Sequence, residues 1–221
     1  MQKCLILALL AAFASEIAFA QSVQAPIHTV GEQWTYQTIA PDSSKILSEV
    51  TRTTLGIDGD AVRYALSERI VSPATGQFLP PKTTQVTEHA DLSQMTNPEK
   101  EKLEIPNFKW PLEVGEKWGA TRKINSPSIM PFAAHATYTL KTYVEVVKWE
   151  DVNTPVGKFK TLKIVYTFTH QGPHVDTTSV NTLWYSPDLH RDVKSMMETI
   201  VDGGPSPQIR FQTHLIQYKP K

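Results

Sequence analysis

Cysteine is almost missing from this chain: among 221 residues there is one, Cys4. It precedes an apolar run near the amino terminus, whereas a lipid-accepting cysteine would follow such a run. Past that point no disulfide, thiol nucleophile or thiolate metal ligand is available, so a packed core has to hold the fold. A chain of about 200 residues can bury roughly 70% of its unfolded surface, which suffices. An excess of either charge is missing too, with 22 basic and 22 acidic residues. Nothing in that balance favours nucleic acid or an anionic membrane surface as a partner. No run of membrane-spanning length occurs, and no Gly-x-Ser-x-Gly elbow or glycine-rich phosphate loop. No cofactor and no catalytic residue is therefore assigned.

The first twenty residues read as an export signal. Lys3 supplies the positive start, Leu5 to Phe13 the apolar stretch, and Ala18-Phe19-Ala20 a small-x-small cleavage site before Gln21. A spanning helix is excluded by the short run and by Ser15 and Glu16. Cleavage after Ala20 places the protein in the periplasm or outside the cell.

The clearest pattern lies between Pro155 and Lys194. Leu162, Ile164, Tyr166 and Phe168 recur at every second position, as in a half-buried strand whose side chains leave a pleated backbone on alternate sides. Gln171-Gly172-Pro173 turns the chain, which returns through Val180 to Tyr185 and stops at Ser186-Pro187-Asp188. Earlier in the chain, strands are expected around Trp34 and Tyr36, over Ile46–Ile57, over Val62–Ile70 after the Asp58-Gly59-Asp60 turn, and over Thr83–His89. Gln21 to Thr29 shows no periodicity and reads as a loose lead-in. Asn97-Pro98 is a helix start, giving one short helix near 98–104. A last strand spans Gln208 to Tyr218.

The pattern then restarts. Val-Gly-Glu-Lys-Trp at Val114 echoes Val-Gly-Glu-Gln-Trp at Val30, so Gly31, Glu32 and Trp34 correspond to Gly115, Glu116 and Trp118. The expectation is an all-β or β-dominated protein: a curved antiparallel sheet or half-barrel from two tandem units, 21–111 and 112–221, within one continuous domain.

Three constellations invite a chemical reading. His170 and His174, with Asp176, have metal-like spacing, but Gly172-Pro173 forbids the helix that would bring two such histidines together, and no metal site is assigned. His190-Arg191-Asp192 copies a kinase catalytic loop without its companions and reads as a charged turn. The aromatics remain. Most of them fit a packed β core. Trp184 and Tyr185, however, are adjacent and must face opposite sides of a strand, so one leaves the main core. With Tyr166 and Phe168 they form the candidate ligand-binding set.

Gly157-x-Phe159, Lys163-Ile164, Leu183-Trp184-Tyr185-Ser186-Pro187-Asp188-Leu189 and Val193-Lys194 together resemble a pattern recurring in exported bacterial proteins grouped as domains of unknown function. The layout is also similar to the half-barrel lipoprotein carriers of the bacterial envelope. That resemblance implies an apolar concave face and brings no catalytic residue with it. The functional expectation is a non-catalytic binding protein for an apolar small molecule, a lipid or an envelope component. The alternatives are an accessory protein that binds protein partners through a sheet edge and, third, a hydrolase.

Overall fold

The computed structural model describes residues 22–40, 44–92, 95–96, 106–126, 136–171, 176–201 and 209–221. The expected export signal at 1–20, the short helix near 98–104 and His174 lie outside these residues.

The fold is all-β. Eleven strands follow in chain order: β1 Gln33–Ala40, β2 Lys45–Asp58, β3 Ala61–Ile70, β4 Lys82–His89, β5 Met95–Thr96, β6 Lys117–Ser126, β7 Ala136–Thr154, β8 Gly157–Gln171, β9 Asp176–Ser186, β10 Arg191–Val201 and β11 Ile209–Lys219. They form one antiparallel sheet in the order β5-β4-β3-β2-β1-β11-β10-β9-β8-β7-β6. Two meanders therefore meet where the first strand pairs with the last, and among the described residues β5 and β6 end the sheet without closing it into a barrel. The only helix among these residues is a single 3-10 turn, Pro187–Leu189, so none is long and apolar enough to cross a membrane.

The alternating stretch behaves as its period requires. Leu162 and Ile164 are fully buried, Tyr166 is 5% exposed and Phe168 is partly buried, all on one face of β8. Each fully buried aliphatic contributes about 1.5–3 kcal/mol. The expected boundaries differ mainly in length. β7 runs to Thr154 and turns through Pro155 and Val156 into β8, with the Val156 N–H donating to Thr154 Oγ1 at 3.2 Å. β10 has no counterpart in the sequence reading. A register shift between Asp192 and Lys194 puts an extra residue, Val193, into the strand and breaks the two-residue period there.

The two glycine turns share one geometry. Gly31 has φ +91° and Gly115 φ +93°, a region L side chains seldom enter. The Gly31 N–H donates to the Thr54 carbonyl at 2.8 Å, and the Thr54 N–H returns a bond to Glu32 at 3.0 Å. The Gly115 N–H donates to Val146 at 2.8 Å, and the Val146 N–H to Glu116 at 3.0 Å. A register shift follows at once in both, between Thr54 and Gly56 and between Val146 and Lys148. Bulges of this kind bend and twist the strands that carry them.

The lead-in is not loose. Val23 exchanges both backbone hydrogen bonds with Leu112, at 2.9 and 2.8 Å, and is 5% exposed. It joins Phe108, Leu112 and Leu92 over the core formed by Val144, Val146, Leu162, Ile164, Tyr166 and Tyr185. Irregular chain does the covering that helices would do elsewhere, which is why no hydrophobic period marked it.

Candidate functional site

A second core cluster, with Trp34, Val62, Tyr64, Trp184, Leu189, Val193 and Leu215, is built around charge. Cross-strand register places Trp34 opposite Arg52, and Val62 opposite Glu88. Directly opposed residues share a face, so Arg52 and Glu88 point to the buried side. Arg52 Nη1 donates to Glu88 Oε1 at 2.7 Å. Arg191, at the start of β10, reaches the other oxygen with Nη1 at 3.2 Å and Nη2 at 3.3 Å. Both guanidinium carbons lie 4.7 Å from the Tyr64 ring centroid, and Arg191 also sits 5.5 Å from that of Trp34. Cations placed over ring faces are attracted by the ring quadrupole. The side chains of Glu88 and Arg191 are 6% and 8% exposed.

Burial pushes the Glu88 carboxyl up, but the two guanidiniums outweigh it and hold the group below its ordinary value. His28 stands beside this centre. Its Nε2–H donates to the Ala90 carbonyl at 2.6 Å, and Nδ1 accepts from the Tyr64 hydroxyl at 3.2 Å, an arrangement that needs the neutral ring. Desolvation lowers the His28 pKa and keeps it neutral.

A pocket of about 230 Å³ opens onto the centre, lined by Tyr36, Thr38, Val50, Arg52, Arg191, Asp192 and Thr213. The Tyr36 hydroxyl donates to the Asp192 backbone carbonyl at 3.0 Å, and the Thr38 and Thr213 hydroxyls pair at 3.0 Å. Arg191 Nε has no hydrogen-bond partner among the described residues. Burial raises the Asp192 carboxyl above its ordinary value, although Arg191 pulls the other way.

The four aromatics of the sequence reading lie elsewhere. Trp184 is 7% exposed, donates its indole N–H to the Glu150 carboxylate and lies between Lys194 and Lys163, whose ammonium groups are 4.8 and 5.5 Å from its ring. Tyr185 is 1% exposed and packs on Phe108 and Trp110, with ring centroids 5.7 and 5.5 Å away. The adjacent pair thus enters different core clusters. The Tyr166 hydroxyl donates to the Asn107 carbonyl at 2.6 Å, and its ring stacks on Phe168 at 6.3 Å.

Register connects one of these aromatics, Tyr166, to the pocket. Thr38, Thr213, Ser195, Leu183 and Ile164 stand opposite one another across β1, β11, β10, β9 and β8. Two residues along, Phe211, Met197, Asn181 and Tyr166 form a second row on the same face. Phe211 and Met197 are 40% and 42% exposed. One face therefore carries a charged pocket and, beside it, two open apolar side chains, Phe211 and Met197, in a row that reaches Tyr166 through Asn181.

Sequence reasoning passed over Arg52 and Glu88 and read Arg191, with His190 and Asp192, as a charged turn, whereas Arg191 is buried at the start of β10. Val50-x-Arg52 and Val86-x-Glu88 put a charge on the apolar side of an alternating strand, which was the available signal. Arg191 carried none, because its partner Glu88 is 103 positions away and meets it only across the sheet.

No protein-family model and no curated protein matches the chain. Solved structures similar to it include a candidate exported protein with a YmcC-like fold from Bacteroides fragilis, at 15% identity and TM-score 0.48 over 90% of this chain and 100% of that one. A candidate lipoprotein from Parabacteroides distasonis is similar at 14% identity and TM-score 0.49, again over 90% of this chain and 100% of that one. The hypothetical lipoprotein YmcC from Escherichia coli follows at 11% identity and TM-score 0.38, over 87% of each chain.

Proposed function

We propose that this chain is an exported, non-catalytic binding protein that takes an apolar, lipid-like ligand on the face shared by the pocket and the Phe211–Met197 row. The observation that carries the reading is that row: two large apolar side chains left open on the same face as a preformed pocket. Tyr166 and Phe168 continue the row beneath the ligand, while Trp184 and Tyr185 hold β9 in place. The export signal at 1–20 puts the site in the periplasm or outside the cell. The repeated turns at Gly31 and Gly115, with their matching bulges, support descent of 21–111 and 112–221 from one duplicated unit.

Burying eight to ten methylenes at about 0.8 kcal/mol each, less the cost of association, supports affinity in the micromolar range. The purified protein is expected to bind a fluorescent fatty-acid analogue, and Phe211→Ser with Met197→Ser to weaken that binding about tenfold or more without moving the melting temperature by more than a few degrees. Absence of binding at tens of micromolar probe would refute the reading. A sheet-edge partner is the second reading, favoured by β6, ten residues long and paired on one side only among the described residues.

A further inference from the structure

The charged pocket presents two guanidiniums whose direct ion-pair partner is a single carboxylate. Arg52 and Arg191 share the single carboxylate of Glu88. Of the ten N–H donors on the two guanidiniums, three contacts reach Glu88, and Arg191 Nε has no partner among the described residues. Both arginines also line the pocket, so their guanidiniums border an opening and not only the core. The hydroxyls of Thr38 and Thr213 stand on the same wall and can turn toward an acceptor.

Resting on the binding reading above, we infer that this pocket is an oxyanion subsite, which takes the carboxylate or phosphate end of the ligand while its apolar part lies along Met197 and Phe211. Planar guanidiniums suit such groups because they offer paired N–H donors in a fixed fork. Val50 and the Tyr36 ring form the apolar side of the opening, next to Thr213, which is two residues from Phe211 along β11. At about 3.4 Å per residue, that places the subsite within one headgroup's reach of the row. Asp192, the one acid lining the pocket, competes with an incoming anion for the two guanidiniums, and burial raises its carboxyl above the ordinary value.

The test compares amphiphiles of one chain length by calorimetry on the full exported chain: decyl phosphate, decanoate and the neutral decyl glucoside, with inorganic phosphate as competitor. Both anionic probes are expected to bind at least about tenfold tighter than the glucoside. Arg52→Gln and, independently, Thr213→Glu should each erase most of that preference, while Asp192→Asn keeps or increases it. Thr213→Glu leaves the Arg–Glu–Arg contacts in place, so it reads the subsite even if Arg52→Gln perturbs the fold. Displacement of decyl phosphate by millimolar inorganic phosphate would support a subsite that also accepts free oxyanions. Equal binding of anionic and neutral probes, or a preference that survives both Arg52→Gln and Thr213→Glu, overturns the subsite and leaves the apolar site standing. Failure of every amphiphile to bind overturns both.

Discussion

Trp34 faces Arg52 across β1 and β2, and Trp118 faces Val144 across β6 and β7. Counting on from the two glycine turns, several buried places in the first half have a counterpart in the second. Thr54 answers to Val146, Tyr64 to Ile164, and Glu88 to Tyr185. The scaffold is the same and the filling is not. The second half packs Val144, Val146, Ile164 and Tyr185 under an apolar cover from 106–112. The first half puts an arginine and a glutamate into those places and draws in Arg191 from β10, on the pocket's wall. The second half shows that the scaffold closes well with aliphatic side chains. Ion pairs taken out of water seldom repay their desolvation in stability. The difference therefore calls for a reason other than folding, and the pocket supplies one.

The largest expected effect separates equivalent positions. Glu88→Ala strands two buried guanidiniums and should cost about 3–5 kcal/mol, by the usual loss on breaking a buried pair. Tyr185→Phe, at the matching place, removes a buried hydroxyl that has no partner among the described residues, and should change stability by less than about 1 kcal/mol. Urea titrations of both variants check this, and equal losses would break the comparison.

A smaller effect is one of pH. The Glu88 pKa is depressed in the fold, so its contribution is present above its ordinary value of 4.5 and is lost as pH falls through the lower, folded value. Asp192 is raised, so its contribution is present below its ordinary value of 3.8 and is lost as pH rises through the folded value. The two oppose each other. In an Asp192→Asn background stability should fall more steeply on acidification below pH 4.5, and adding Glu88→Gln should remove that component. Melting curves between pH 3 and 7 measure it.

Most of the sheet was legible because alternation is a local signal: β8 follows from Leu162, Ile164, Tyr166 and Phe168 alone. The repeated Val-Gly-Glu-x-Trp start pointed to the two turns because a left-handed glycine before a strand leaves a mark in sequence. β10 stayed hidden because the extra residue at Val193 breaks the period. The covering segments stayed hidden because Val23, Phe108 and Leu112 are single anchors in irregular chain. The aromatics were visible as residues, but composition cannot distinguish Tyr185, locked beneath Phe108 and Trp110, from Phe211, open on the same sheet. The charged centre joins β2, β4 and β10; β10 stands five positions from β4 in the sheet, so only the curl of the sheet brings Arg191 to Glu88.

The most direct test replaces the ionic centre by apolar residues of similar size, Arg52→Met, Glu88→Leu and Arg191→Met together, and measures both unfolding free energy and decyl phosphate binding. The account predicts a folded protein within about 2 kcal/mol of the parent, or more stable, as buried ion clusters commonly allow, with the preference for the anionic amphiphile gone. A variant that unfolds, or one that folds and still prefers decyl phosphate over decyl glucoside, would contradict it.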